Sequence, residues 1–326
     1  MSADSQLSQV DDGTLKGLRI WDAHAHPHSF FSGKYDATTP TISMMKKLNM
    51  AVCVFAAVGD TGYNIRRGDS VKNLKFNTAS QLDRVKTWAK SGDIKIIKTN
   101  ADLDHLKAGE FGAIVAIEGG DALEGKLENL DYFYEEYSVR MITLLHDQIN
   151  EIGEPQRAAL SDKGLTPFGR QLVERMNQRG IVIDVAHAQL STLRDITALT
   201  AKPVVDSHTS LSPKEGPMGR FRSWSEMEMV AKVGGVVCTW PLAYTGRNTL
   251  DDWVKEIILM KTRLGIAHIG LGTDGGGRLP KTVKGYQNIS DLPKLIKALT
   301  EAGLTQNEIQ AYVGGNVERV VRACLV

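Results

Sequence analysis

Long hydrophobic runs are missing from this sequence: no window approaches the ~20 consecutive apolar residues that a membrane-spanning helix needs, so no membrane segment is expected. Cysteine is scarce. The three residues Cys53, Cys238 and Cys324 are an odd number, lie far apart and sit in or beside apolar runs. That pattern excludes a disulfide framework and a cysteine-rich metal site, and leaves buried free thiols. Charge of one sign is missing too. Thirty-nine Lys and Arg against 38 Asp and Glu give a formal net charge of +1, so nothing electrostatic favours nucleic acid or an anionic membrane as partner. Met1 to Lys16 is polar and acidic and lacks the basic and apolar regions of a secretory signal. As it stands the chain reads as cytoplasmic, although a chain from which a leader had been removed would read the same.

What is present is an ordinary globular composition, 42% hydrophobic and 24% charged over 326 residues. That length suffices for one large domain with a full core or two smaller ones. The expected organisation is a polar arm over 1–16 and a single domain over 17–326. Eight stretches read as strands: 18–24, 50–58, 112–118, 139–145, 181–187, 203–208, 234–240 and 267–274. Several are continuous apolar runs, the signature of strands covered on both faces, and each is followed by helical sequence. This is the rhythm of a parallel sheet, and eight such units predict an α/β fold of the (β/α)8 TIM-barrel type. An open doubly wound sheet is the alternative. It would carry a glycine-rich turn after the first strand, where this chain has histidines. The polar connection from Gly59 to Asn77 is long enough to expect it over or beside a pocket.

The chemistry-bearing residues fall at one end of these strands. His24 and His26 finish the first, Glu118 the third, His146 the fourth, His187 the fifth, His208 the sixth and Asp274 the eighth. Side chains two apart on a strand point to the same face, so His24 and His26 point together. A barrel gathers all its C-terminal strand ends around one mouth. Alone, a strand-end histidine is more often a satisfied polar group than a ligand; gathered, these residues point to metal. They exceed what one catalytic zinc takes, about three protein ligands and an open position. Two ions ~3.5–4 Å apart use them better, with the anionic Glu118 as the bridge between two cations. Asp274, followed by Gly275, Gly276 and Gly277, is left as a general base. His28, His105 and His268 fit no ligand position.

Further motifs carry a family resemblance that runs from about Gly17 to Val320. They are Ala116-Ile117-Glu118-Gly119-Gly120, Leu144-Leu145-His146 with Asn150, Gly164-Leu165-Thr166-Pro167-Phe168-Gly169 and Ile183-Asp184-Val185-Ala186-His187. They continue through Asp206-Ser207-His208-Thr209-Ser210, Arg222-Ser223-Trp224-Ser225, Gly272-Thr273-Asp274 and Gly314-Gly315-Asn316-Val317. With these motifs the chain resembles the membrane (renal) dipeptidases, a branch of the metal-dependent amidohydrolase superfamily. The resemblance implies one metal on His24, His26 and Glu118 and a second on Glu118, His187 and His208. It implies Asp274 as acid/base and His146 as the group contacting the scissile carbonyl. Arg222 would hold the substrate carboxylate, with Arg220 close enough for the assignment to slip by two. The chain departs from the family pattern at His26, where an aspartate is usual, and at Gly276, where a second acid is usual.

The expected activity is therefore a zinc-dependent dipeptidase carrying two ions. A metal-bridging hydroxide would attack the amide of a dipeptide or a similar small carboxylate-bearing amide. The alternatives are another amidohydrolase-type reaction on a lactone, cyclic amide or N-acyl compound, and a non-catalytic metal-binding accessory protein. The expected partner is a small-molecule substrate, with homo-oligomerisation left open.

Overall fold

A strand whose two faces are both apolar must be covered on both, and the chain achieves this by rolling its sheet up. The computed structural model describes residues 13–60, 73–158, 160–213 and 219–326. The strands are β1 (Ile20–Ala25), β2 (Met50–Val58), β3 (Lys95–Ile96), β4 (Gly112–Glu118), β5 (Val139–Thr143), β6 (Val182–Asp184), β7 (Val205–Thr209), β8 (Val236–Thr239) and β9 (Ile269–Leu271). All pairings are parallel, in the order β1-β2-β4-β5-β6-β7-β8-β9, with the short β3 beside β4. The two ends of this path meet through a bridge between Ala25 and Gly275, where His26 N donates to Gly275 O and Asp274 N to His24 O. Below that bridge the buried Asp22 carboxylate accepts from Thr273 N at 2.8 Å and Thr273 Oγ1 at 2.5 Å. The result is the nearly closed (β/α)8 barrel that the strand rhythm predicts.

Alternation sorts the strand residues into two layers. Val52, Val54 and Ala56 of β2 and Ile114 and Ala116 of β4 cluster with Met141, Val182, Val205, Val236 and Cys238 inside the barrel. Their neighbours Cys53, Phe55, Ala57, Ala113, Val115 and Ile117 face the helices. Glu118 continues the inward series of Ile114 and Ala116, which carries a carboxylate to the mouth of an apolar barrel.

The surrounding helices are α1 (Ile42–Lys47), α2 (Leu74–Lys90), α3 (Asn100–His105), α4 (Leu127–Tyr137), α5 (Pro167–Arg179), α6 (Leu190–Leu199), α7 (Trp224–Lys232), α8 (Leu250–Leu264), α9 (Leu292–Glu301), α10 (Gln306–Gln310) and α11 (Asn316–Cys324). Their starts are written locally. Capping boxes Thr99/Asp102, Ser223/Glu226, Thr249/Asp252 and Thr305/Glu308 open α3, α7, α8 and α10. Val317, Val320 and Val321 of α11 join the interior cluster and close the end of the barrel away from the mouth.

Several boundaries differ from the sequence expectation. Helix α2 begins at Leu74 rather than Ser80, because Leu74, Thr78 and Ala79 already bury their side chains. Strands β6 and β9 stop at Asp184 and Leu271, so His187 and Asp274 stand on the loops beyond them. Residues 266–268 form a 3-10 turn after Gly265, at φ 86°, and not the start of β9. Of the connection expected beside the pocket, 61–72 lie outside the described residues, as does most of the polar arm.

The turn after β4 holds a buried acid. Burial pushes the Asp121 carboxyl up from 3.8 to about 6, against a hydrogen bond from Asn150 Nδ2 at 3.0 Å and with Asp60 adding to the rise. The native state therefore binds more protons than the unfolded chain between pH 3.8 and about 6. Stability from this group falls as pH rises through that window. In metal-free protein, Asp121→Asn should add about 1–3 kcal/mol at pH 7 and little at pH 4, read from urea midpoints.

Candidate metal centre

Seven of the strand-end residues converge at the barrel mouth, each 4% exposed or less. Glu118 stands at the centre. Its Oε1 lies 3.3 Å from His187 Nε2, 3.5 Å from His24 and His208 Nε2, and 3.7 Å from His146 Nε2. Its Oε2 lies 3.4 Å from His26 Nε2, which is also 3.3 Å from Asp274 Oδ1. The Nε2 atoms of His24 and His26 are 3.3 Å apart, and those of His187 and His208 2.8 Å. Four groupings offer donor atoms within 4.8 Å of one another: His24, Glu118 and His208; His24, His26 and Asp274; Glu118, His146 and His187; and Asp60, His146 and Asp147.

The backbone at two of these positions is unusual. His187 and Asp274 have φ of 66° and 50°, in the left-handed region that non-glycine residues rarely occupy. Outliers of this kind persist where surroundings over-determine them, and they gather at functional sites. Beside Asp274, a Cβ on Gly277 would fall 1.9 Å from Oδ1, so the glycine keeps room for the carboxylate.

Neighbouring groups fix the ring orientations. His26 donates its Nδ1 proton to Ala56 O at 2.7 Å, since a carbonyl can only accept. Ser207 Oγ donates to Asp184 Oδ2 at 2.6 Å and so accepts from His208 Nδ1 at 2.9 Å. Asp184 in turn receives Thr143 Oγ1 and the Ala186 and Ser207 amides. Both rings thereby turn Nε2 into the cluster, the arrangement that supports metal-ligating histidines.

Charge follows the same plan. Burial lowers the His187 imidazole to about 3, helped by the Arg220 charge, and takes His208 well below its ordinary value, so both are neutral at pH 7. Burial would raise Glu118, but the charges of His146 and His24 outweigh it and hold the carboxyl well below its ordinary range. Burial also works against a charge on His26, yet hydrogen bonds to Asp274 and Glu118 push it up to about 10. A proton thus balances the carboxylates where a cation would otherwise sit, and metal binding should release it.

One expected site residue is not brought to the cluster. Arg222 is fully buried, and its guanidinium is spent within the protein on Asp206, Glu226 and the carbonyls of Val185 and Ala188. Its side chain has no exposed surface, so the carboxylate grip that the resemblance implies for it finds no support in this arrangement. Arg220 faces the site instead. Its Nη1 is 3.4 Å from His146 Nε2, and its Nη2 donates to Asp147 Oδ1 at 2.5 Å. Arg220 also lines a cavity of about 340 Å³ with Phe221, Trp240, Leu242, Asp274 and Gly277. His28 pairs with Tyr35, His105 is exposed on α3, and His268 contacts Gly235 O, all away from the cluster.

Sequence reasoning passed over Asp60 and Ser207. Asp60 Oδ2 lies 3.1 Å from His146 Nδ1 in a fully buried position. It stands two residues beyond β2, so the strand-end rule that found the histidines would also have found it. Ser207, adjacent to His208, carried no signal of its own.

A parallel (β/α)8 barrel with imidazoles and carboxylates gathered at its mouth is the architecture of metal-dependent hydrolases of the amidohydrolase type. The chain belongs to the family described as membrane dipeptidase (peptidase family M19), matched over residues 35–325; His24 and His26 precede the matched span. Among curated relatives it is similar to dipeptidase verJ of Clonostachys rogersoniana, 27% identical over 252 residues. It is also similar to dipeptidase tcpJ of Claviceps purpurea, 26% identical over 249 residues. These matches cover 75% and 74% of this chain but only 64% and 55% of the relatives' own lengths. Among solved structures, the probable dipeptidase PvdM from Pseudomonas aeruginosa superposes with a TM-score of 0.83, at 18% identity and over 98% of this chain and 99% of that one. A metallo peptidase from Rhodobacter sphaeroides gives 0.80 at 18% identity, over 94% and 99%. Family and donor cluster together support a metal cofactor. Among the described residues, no helix is long and apolar enough to cross a membrane.

Proposed function

We propose that the protein hydrolyses the amide bond of dipeptides, or of similar small amides with a free carboxylate, using two zinc ions at the barrel mouth. The observation that carries this reading is the convergence of His24, His26, His187 and His208 on Glu118, with Asp274 alongside. The residues fit the ions. Nε2 atoms crowd together within 2.8–3.3 Å around a carboxylate, an arrangement that wants a cation. His24, His26 and Glu118 would hold one ion, and Glu118, His187 and His208 the other. The ions would supply Lewis acidity and an activated water near neutral pH.

The chain's own residues do the rest. Asp274 takes the proton of the attacking water and returns it to the leaving amine. His146, held at Nδ1 by Asp60, offers Nε2 to the oxygen of the scissile carbonyl as negative charge develops there. Arg220 Nη1 faces the same space and grips the substrate carboxylate, orienting the amide as well as binding it. Asp147 holds Arg220 in place. Phe221, Trp240 and Leu242 give the cavity an apolar wall for a side chain.

The test is a panel of L,L- and L,D-dipeptides, the matching dipeptide amides, lactones and N-acyl amines, offered to zinc-loaded protein. Dipeptides should be turned over in preference to their amides. Arg220→Met should raise KM for dipeptides by about 10–100-fold and erase that preference, the loss of one hydrogen-bonded charge pair. Turnover confined to lactones or N-acyl compounds would instead establish another amidohydrolase reaction. Two bound ions without turnover of any of them would point to a metal-binding accessory protein.

A further inference from the structure

Arg222 has no exposed surface, and its guanidinium bonds to two carboxylates and two carbonyls. The backbone that presents it is strapped to the extension of β7: Arg222 N donates to Ser210 O and Ser212 N to Arg222 O. From there the guanidinium reaches two carbonyls that flank a metal-ligand candidate. Nη2 donates to Val185 O and Nη1 to Ala188 O, both at 2.5 Å, one on each side of His187. Nε donates to Asp206 Oδ2 at 2.8 Å, two residues before His208. Glu226 Oε1, 3.1 Å from Nη1, balances the remaining charge.

His187 is also the residue with φ of 66°. A non-glycine residue in that region is sterically disfavoured and needs outside restraint to stay there. The Arg222 fork supplies that restraint at both ends of the strained segment while it is anchored to β7. We propose that Arg222 is a positioning residue for the second metal ion, clamping the turn of His187 against the strand of His208 so that their Nε2 atoms stay together at Glu118. The role rests on the assignment of His187 and His208 as ligands. A purely structural arginine would stabilise the fold in the same place without touching metal affinity.

The experiment reads zinc content by mass spectrometry and zinc affinity by chelator competition. It uses wild type, Arg222→Met, Arg222→Lys, His187→Ala and Arg247→Met. Arg247 is the control: another buried guanidinium, paired with Glu256 and donating to the carbonyls of Trp240 and Leu242, with no bond to the turn of His187 or to Asp206. Arg222→Met should keep one tight ion and bind the second roughly 10–100-fold more weakly, as for lost support of a ligand. Arg222→Lys should fall between, since an ammonium cannot span both carbonyls and both carboxylates. Arg247→Met should lose thermal stability and keep both ions. Equal zinc binding in the two methionine variants would overturn the positioning role while leaving the ligands assigned, provided His187→Ala loses an ion. Retention of both ions by His187→Ala would overturn the assignment and the positioning role together. Should Arg222→Met fail to fold, unchanged zinc affinity in Arg222→Lys decides against the proposal.

Discussion

Glu118→Gln should weaken zinc binding by about a hundredfold or more and remove measurable dipeptide turnover with it. The change preserves shape and one acceptor oxygen but takes away the only carboxylate among the described residues within reach of His24, His26, His187 and His208 together. Two cations held close repel each other, and an anion between them offsets that repulsion; a neutral amide does not, and its NH2 would face imidazoles and metal with donors. Breaking a buried charge pair by removing one partner typically costs about 3–5 kcal/mol, which is the scale of the expected loss. The metal-free variant should lose stability as well. His26 is pushed up to about 10, against its burial, by hydrogen bonds to Asp274 and Glu118, and one of those two carboxylates would be gone. Zinc titration by calorimetry and a urea melt of the metal-free protein read the two effects separately. A variant that binds two ions with wild-type affinity would falsify the bridging role.

Asp274→Asn should leave zinc content near wild type and lower kcat by about two to four orders of magnitude, with KM little changed. The carboxylate lies 3.3 Å from His26 Nε2, at the edge of the ligand cluster, and Gly277 leaves it room. An asparagine there keeps the size and one oxygen but cannot accept the proton of the attacking water or return it to the leaving amine. The contrast with Glu118→Gln is the informative part: one variant should lose its metal, the other its proton transfer. Loss of zinc in Asp274→Asn would make Asp274 a ligand first. Turnover within tenfold of wild type would remove it from the proton path.

His26 changes the character of the site. A neutral imidazole stands where the resembling family usually has a carboxylate, so two divalent ions would be neutralised by one less negative charge. Fixed by Ala56 O, the ring is nonetheless built as a ligand. With two ions bound, the extra positive charge would suit the anionic substrate proposed for this site and would make Glu118 carry more of the balance.

Much of this architecture was readable before any coordinates. The eight strands, the barrel and the gathering of His24, His26, Glu118, His146, His187, His208 and Asp274 at one mouth follow from strand periodicity alone. A strand's apolar run marks where it starts and stops, and parallel βα units put every C-terminal end on the same side. What periodicity cannot report is where a long flexible side chain goes once the backbone has turned. Arg220 and Arg222 sit two apart on one loop, alike in sequence, and only the tertiary structure sends one toward His146 and buries the other against Val185, Ala188, Asp206 and Glu226. Ser207 became visible in the same way, through its bond to Asp184, whereas Asp60 lay within reach of the strand-end rule. The sequence by itself determined the fold class and the set of donor atoms, because both depend on local pattern. The tertiary structure decided which arginine turns toward His146 and which is buried between loops, because that depends on packing no local pattern encodes.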